Sequence, residues 1–222
     1  MELARMLHIQ PGVTALIGAG GKTTLLYALG RELSENARVI LTTSTHILRP
    51  SQVPCLLEPG CAELDAALAR HRCVCVGSAC EDRLGAPGLP MRTLAGLADY
   101  VIVEADGARM RPIKAHAAHE PVIPPESGQT ILLLGAKGLG KPVREAVHRP
   151  ERLCALLGAE MDEPVTPELA AELLVREALH GRVVINQVES RSERQAAREL
   201  ASRLGCPVAA GALQREELEC WY

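Results

Sequence analysis

The sequence predicts an α/β protein with a doubly wound, mostly parallel sheet and helices on both faces. Short, continuously apolar runs alternate with longer stretches in which apolar residues recur at helical spacing. Continuous apolar runs are typical of parallel strands that are buried on both faces. With 222 residues, of which 47% are hydrophobic, the chain can form one large core. We expect a single domain over 1–222, with a functional loop or small insertion at 105–129.

The first βαβ unit is clear from the residues that end its strands and begin its helix. The apolar run Val13–Ile17 ends in glycines, and a helix is predicted from Thr23 to about Glu35 before the next strand at Val39–Leu41. Later strands are predicted where apolar runs recur: Cys73–Val76, Tyr100–Val103, Thr130–Leu134, Val183–Ile185 and Pro207–Ala210. This alternation predicts the doubly wound sheet.

Two later helices carry recognisable start signals. Thr166-Pro167-Glu168 combines an N-cap, a proline at the first helical position and an early acid. Ser190 and Glu193 have the spacing of a capping box for a helix that runs to about Leu204.

A glycine-rich loop follows the first strand and opens the first helix. A phosphate chain needs free backbone N–H groups, a helix N-terminus and glycines where side chains would block its approach. Lys22 is then expected to reach the β- and γ-phosphates, and the Thr23 hydroxyl to bind Mg²⁺. Leu16 stands where the full phosphate-loop pattern has its first glycine, so the loop is a shortened variant. The expected nucleotide-binding residues are Gly18, Ala19, Gly20, Gly21, Lys22, Thr23 and Thr24.

Two carboxylates follow the strand at Tyr100–Val103, at the sheet edge where α/β proteins bind ligands. Glu104 and Asp106 are two residues apart and can share a face. One is expected to hold the magnesium or its water and the other to orient or deprotonate the attacking group. The run Thr42-Thr43-Ser44-Thr45 lies at the same edge, so Thr43 is a further candidate ligand, although hydroxyl clusters are also common in turns.

The segment after the acid pair is basic and titratable. We expect it to contact an anionic substrate or the γ-phosphate through Arg109, Arg111, Lys114, His119 and Glu120. Lys114 is also a catalytic candidate. His116 and His119 could ligate a metal from a helical face, but the absence of a third ligand at recognised spacing favours a structural role. Asn186 follows the strand at Val183–Ile185 and is a candidate for contact with the base.

Composition narrows the ligand classes. The net charge is −3, with 24 basic residues interspersed among 27 acidic ones, so no basic surface for nucleic acid is expected. No export signal or membrane span is evident, and we expect a cytoplasmic protein.

Five of the eight cysteines fall between Cys55 and Cys80 without a C-x-x-C spacing. Strand alternation places Cys73 and Cys75 on one face, and ordinary thiols are favoured there over metal or chalcogen binding.

These motifs together resemble the YqeC family, from about residue 10 to 205. Besides the glycine loop and the threonine run, the resemblance rests on Val103-Glu104-Ala105-Asp106-Gly107, Pro112-Ile113-Lys114-Ala115, His119-Glu120-Pro121-Val122-Ile123-Pro124, His148-Arg149-Pro150-Glu151 and Asn186-Gln187. Ala108 and His46 depart from the residues usual in the family, serine and lysine, so neither is given a role.

The resemblance implies an accessory factor for selenium-dependent molybdenum hydroxylases, involved in making or inserting the selenium-containing cofactor. It implies a nucleoside triphosphate (ATP or GTP) with Mg²⁺ as cofactors. It also implies a selenium or molybdopterin species, a molybdenum hydroxylase or another maturation factor as partners.

Three functions stay open from the sequence. The first is phosphoryl transfer or NTP hydrolysis in that maturation. The second is a nucleotide-switched binding protein whose 105–129 loop responds to hydrolysis. The third is a ligase similar to the Mur ligases, for which little of the chain remains to build a substrate domain.

Overall fold

The computed structural model describes residues 3–179 and 181–221. The helices are α1 (Leu3–Met6), α2 (Lys22–Leu33), α3 (Cys61–His71), α4 (Met91–Leu97), α5 (Val143–Ala146), α6 (Pro150–Leu157), α7 (Pro167–Glu177) and α8 (Arg191–Ala201). The strands are β1 (Gly12–Gly18), β2 (Val39–Thr43), β3 (His46–Leu48), β4 (Cys55–Leu57), β5 (Cys73–Cys80), β6 (Arg83–Gly85), β7 (Tyr100–Glu104), β8 (Ile113–Lys114), β9 (Ser127–Gly135), β10 (Val147–His148), β11 (Arg182–Asn186), β12 (Val208–Ala212) and β13 (Glu217–Trp221). Short 3-10 turns lie at Ala136–Gly138 and Leu213–Arg215.

Within the described ranges, eleven strands form one sheet in the order β13-β12-β11-β9-β1-β7-β2-β5-β6-β3, with β4 beside β5. The pairs from β12 across to β5 are parallel, whereas β13, β6 and β3 add antiparallel pairs at the two ends. The chain therefore has the predicted α/β fold with a mostly parallel sheet.

Helices cover both faces of the sheet, because alternate residues of its strands point to opposite sides. One face packs against α1 and α2 through a core that includes Leu16, Leu41 and Leu133. The other face packs against α7 and α8 through Ile17, Leu134 and Ile185, and against α3 and α4 through Val74 and Val101. Every strand of the first βαβ unit is thus buried on both sides, as its continuous apolar run predicts.

The two predicted helix starts are confirmed. The Thr166 hydroxyl accepts the amide of Leu169 at 3.1 Å, and Ser190 and Glu193 form a complete capping box. Cys73 and Cys75 share the α2 face, as predicted.

Several elements were not predicted from the sequence. The strands β3, β4 and β6 have three residues each, which is too short for a period to be read. The segment 105–129, predicted as a loop or small insertion, contains the short strand β8, which pairs in parallel with β10. The last three residues of the segment belong to β9. In the described ranges, no helix has the length and hydropathy needed to span a bilayer.

Candidate functional site

The glycine loop joins β1 to α2 at the carboxyl edge of the sheet. Gly20 and Gly21 have φ values of 77° and 136°, in the left-handed region that favours glycine. A Cβ on Gly20 would lie 2.4 Å from the amide nitrogen of Gly135, and one on Gly21 would lie 2.3 Å from Nδ2 of Asn186. Both conformation and space therefore require glycine here.

The loop presents amides at the start of a twelve-residue helix, and its N-cap residue, Gly21, has no side chain that could cap them. Gly18 donates its amide to Asp106 Oδ2 at 2.9 Å, and Ala19 donates to the carbonyl of Leu133 at 2.8 Å. Across 3–179 and 181–221, the amides of Gly20 and Gly21 donate to no protein acceptor. Unpaired amides at a helix N-terminus favour a bound anion, because the helix dipole adds to their partial charge.

Lys22 lies in the centre of the site. Its Nζ donates to the Gly18 carbonyl at 2.6 Å and lies 3.1 Å from Asp106 Oδ1 and 3.8 Å from Glu104 Oε1. The residue is only 5% exposed. The loop, the lysine and both predicted acids are thus brought together, with the ammonium group held by protein oxygens.

Glu104 contacts the helix start directly. The Thr23 hydroxyl donates to Glu104 Oε2 at 2.8 Å. Burial raises the pKa of Glu104, and the charge of Lys22 and the bond from Thr23 only partly offset this effect. Glu104 is therefore the acid of the pair that retains a proton more readily.

Asp106 has the opposite tendency. Burial acts to raise its pKa, but the hydrogen bond from His116 and the charges of Lys22 and Lys114 outweigh it and lower the pKa to about 2. Its carboxylate is completely buried. Oδ2 contacts the Gly18 amide, Lys114 and His116, whereas Oδ1 has no hydrogen-bond partner among the described residues and lies 3.1 Å from Lys22 Nζ. Asp106 therefore connects the glycine loop to the loop that follows β7.

Lys114 and Glu120 continue this network inside the protein. Lys114 Nζ donates to the Gly107 carbonyl at 2.6 Å and lies 3.1 Å from both Asp106 Oδ2 and Glu120 Oε2. Arg149 donates to Glu120 through Nε and Nη2, at 3.2 and 3.0 Å. Although burial opposes the shift, the bonds from Lys114 and Arg149 lower the pKa of Glu120.

His116 extends the network to α7. Its Nε2 lies 2.8 Å from Asp106 Oδ2 and its Nδ1 lies 2.6 Å from Glu177 Oε2, while its backbone amide donates to Glu177 Oε1. Burial would lower the pKa of His116, but its two carboxylate partners raise it. The residues from His116 to His119 are not helical, and His119 is exposed. The two imidazoles therefore have different environments and do not share a helical face.

The threonine run ties neighbouring strands together. The Thr43 hydroxyl donates to the Glu104 carbonyl at 2.8 Å and accepts the amide of Thr45 at 3.0 Å, and Thr43 is fully buried. Thr42 donates to the Val76 carbonyl, and Ser44 to the Val122 carbonyl. In this structure these hydroxyls position the ends of the strands around Glu104.

Asn186 contacts the glycine loop from β11. Its Nδ2 donates to the Gly20 carbonyl at 2.7 Å, and its Oδ1 accepts the amide of Leu213 at 2.9 Å. Both ends of the side-chain amide are therefore used to hold the loop against the turn after β12.

The candidate substrate residues separate into two groups. Lys114 and Glu120 belong to the buried network, whereas Arg109, Arg111 and His119 are exposed. Arg111 donates to the Glu145 carbonyl. The sequence reasoning missed Glu177 as a partner of the site, since it lies 61 residues after His116 on a helix that looked purely structural.

The match to known families covers most of this site. The YqeC protein family model matches residues 14–151. The chain belongs to the YqeC family. The matched YqeC region contains the glycine loop, both acids, the Lys114 network and Arg149, whereas Glu177 and Asn186 lie beyond it.

A curated relative has the same family name. The uncharacterized protein YqeC of Escherichia coli (strain K12) is 34% identical over 162 residues, which are 69% of this chain and 63% of that protein. This YqeC chain therefore spans less than two thirds of that relative's length. Among solved structures, the chain is similar to the signal recognition particle 54 kDa protein of Aeropyrum pernix K1 in complex with GDP. The match covers 96% of this chain and 44% of the chain of that protein. The TM-score is 0.41 at 14% identity, which is too low to support a functional argument.

Proposed function

We propose that this protein binds a nucleoside triphosphate, ATP or GTP, with Mg²⁺ on the loop from Gly18 to Thr24. The observation that carries the proposal is the bond from the Thr23 hydroxyl to Glu104, next to the Gly20 and Gly21 amides, which have no acceptor in the described part of the protein. A helix start of this kind suits phosphate oxygens. The adjacent hydroxyl and carboxylate suit the metal that accompanies them.

Thr23 and Glu104 fit a magnesium ion better than the other candidate ligands do. Mg²⁺ prefers hard oxygen ligands and is usually held by one or two protein groups together with phosphates and water. The Thr23 hydroxyl and the Glu104 carboxylate already lie 2.8 Å apart. When bound, the ion would neutralise charge that develops on the phosphates. The Thr43 hydroxyl bonds to Glu104 and Thr45, and Asp106 Oδ2 is bonded to Gly18, Lys114 and His116, so we assign both residues to positioning. Asp106 Oδ1 has only its ion-pair contact with Lys22 in the described part of the chain.

Lys22 would exchange its partners on nucleotide binding. Its ammonium group is now shared between Gly18, Asp106 and Glu104. A triphosphate bound to the loop amides would carry more negative charge than these present partners, and the same Nζ would bind it instead. Lys114 would then remain with Asp106 and Glu120, which keeps Asp106 neutralised after Lys22 has turned to the phosphates.

The biological role that we propose is maturation of the selenium-containing cofactor of molybdenum hydroxylases, through NTP hydrolysis or phosphoryl transfer. Its support is the family resemblance, whereas the geometry of the site supports only the proposal of a phosphorylated ligand. Partners of this role would be a selenium or molybdopterin species, a molybdenum hydroxylase or another maturation factor.

Calorimetric titration of the purified protein tests the nucleotide site. ATP, GTP and CTP are titrated with Mg²⁺ and again with EDTA. We expect saturable binding of at least one nucleotide, weakened when the metal is removed. If none of the three binds in the presence of Mg²⁺, the proposal is wrong.

A nucleotide-switched binding protein is the second candidate, and the segment after Gly107 favours it. Arg109 and Met110 have left-handed backbone conformations, and Met110 is 98% exposed. The segment is joined to the site because the Gly107 carbonyl accepts Lys114. Phosphate release that is stimulated by a small molecule would support an enzyme, whereas release stimulated by a client protein would support the switch.

A further inference from the structure

Two cysteines that the nucleotide site does not use lie side by side on neighbouring strands. Cys55 of β4 is the direct partner of Cys75 of β5 in a parallel pair. The backbone bonds from Cys75 to Pro54 (2.8 Å) and from Glu58 to Gly77 (2.9 Å) bracket the pair. Directly paired residues on parallel strands point to the same face, here the face that packs against α2.

The spacing of the two residues suits a covalent bond between their sulfur atoms. Adjacent strands lie about 4.8 Å apart, and disulfides join residues whose Cα atoms are about 4.4–6.8 Å apart. Cys75 is fully buried, whereas Cys55 is partly exposed on a three-residue strand. One thiol of the pair is therefore open to reagents, and the other is shielded behind it.

The two thiols also differ in acidity. A hydrogen bond from the Cys75 thiol, assisted by Arg49 and opposed by burial, lowers the pKa of Cys55 to about 7. The same bond, together with burial, raises the pKa of Cys75. Burial alone raises the pKa of the neighbouring Cys73 to about 11. Since the thiolate is the nucleophile in exchange reactions, Cys55 has the character of an attacking thiol.

We propose that Cys55 and Cys75 form a reversible disulfide by exchange with a low-molecular-weight disulfide. The Cys55 thiolate attacks one sulfur of the reagent, forms a mixed disulfide and releases the first thiolate. Cys75 then loses its proton to that thiolate, and its sulfur attacks Cys55 Sγ and releases the second. The second thiolate takes from the solvent the proton that Cys55 released on ionising, so the protein loses two electrons and two protons in total, and the reagent is reduced to two thiols.

Mass spectrometry of the oxidised full-length protein tests this proposal. The protein is incubated with oxidised glutathione, quenched with acid, alkylated with N-ethylmaleimide and digested. We expect a peptide pair that links Cys55 to Cys75 and that disappears on treatment with dithiothreitol. Glutathione on Cys55 without any link to Cys75, or a link from Cys75 to Cys73, would overturn the proposal.

Variants separate the role of Cys55, the first attacking thiol, from that of Cys75, which completes the disulfide. Cys75→Ala should leave a stable glutathione adduct on Cys55, because the second attack is lost. Cys73→Ala is the matched control, since Cys73 lies on the same strand and face, and it should leave the Cys55–Cys75 link unchanged. If Cys75→Ala does not fold, the wild-type peptide map still decides.

Alkylation kinetics give an independent measurement on the reduced wild-type protein. At pH 7, Cys55 should react with iodoacetamide roughly fivefold faster than the exposed Cys61, because the lowered pKa of Cys55 outweighs the lower intrinsic nucleophilicity of its thiolate. Equal or slower alkylation of Cys55 would remove it as the attacking thiol.

Discussion

The ring Nε2 of His116 lies 2.8 Å from Oδ2 of Asp106, which also accepts the amide of Gly18. A single carboxylate oxygen thus joins a buried imidazole to the first glycine of the loop. Glu177 binds the other ring nitrogen, so α7 is connected to the glycine loop through three side chains. The contacts suggest that the ionisation of His116 affects the stability of the whole site.

Stability should fall at alkaline pH because of His116. The pKa of His116 is raised in the folded protein, so its stabilising contribution is complete below the unfolded value of about 6.5 and is lost as pH rises through the folded value. Urea denaturation between pH 6 and 9 measures this loss. His116→Gln should remove this component and lower the free energy of unfolding by about 3 kcal/mol. His71→Gln, at an exposed site, is the control, and the prediction fails if both variants keep the wild-type pH profile.

Lys22→Ala should abolish measurable nucleotide binding. The β- and γ-phosphates lose their compensating charge, and we expect at least a 100-fold rise in Kd, about 2.7 kcal/mol. Calorimetry measures the affinity, and circular dichroism confirms that the variant is folded. Lys141→Ala removes an exposed lysine and should bind normally. Wild-type affinity in Lys22→Ala would count against the assignment of the loop.

Glu104→Gln should spare nucleotide binding and suppress turnover. The amide keeps the size of the side chain and can still accept from Thr23, and the loop amides, Lys22 and Thr23 remain to hold the nucleotide and its Mg²⁺, but the amide cannot accept a proton. We expect kcat for phosphate release to fall about 100-fold or more, with a smaller change in KM. Glu126→Gln, at an exposed position, serves as the control. Undiminished turnover would exclude Glu104 from catalysis.

Gly21→Ala should disrupt the loop. The added Cβ would lie 2.3 Å from Asn186 Nδ2 in a backbone with φ of 136°, so Asn186 must release the Gly20 carbonyl. We expect a loss of stability above about 1 kcal/mol, measured by urea denaturation, together with weaker nucleotide binding. Gly88→Ala introduces a Cβ with no neighbour within 4 Å and should be nearly neutral. Equal effects of the two substitutions would contradict the steric argument.

The sequence predicted those parts of the site that depend on neighbouring residues along the chain. Strand, glycines, Lys22 and helix follow one another directly, and the acids follow β7, so parallel pairing of β1 with β7 necessarily brings them to one edge. The strands β3, β4 and β6 were missed because three residues carry no usable period. Glu177 gave no local signal, since its role depends on a contact with His116 across the fold.

The sequence by itself determined the α/β fold, the glycine loop and the presence of two acids beside it, because these depend on local pattern and on strand order. Only the tertiary structure decided how the acids differ: Glu104 meets the Thr23 hydroxyl, and Asp106 is enclosed by Lys22, Lys114 and His116. The physical reason is that burial and charged neighbours decide whether a carboxylate is available to a ligand, and both arise from residues that are distant in sequence.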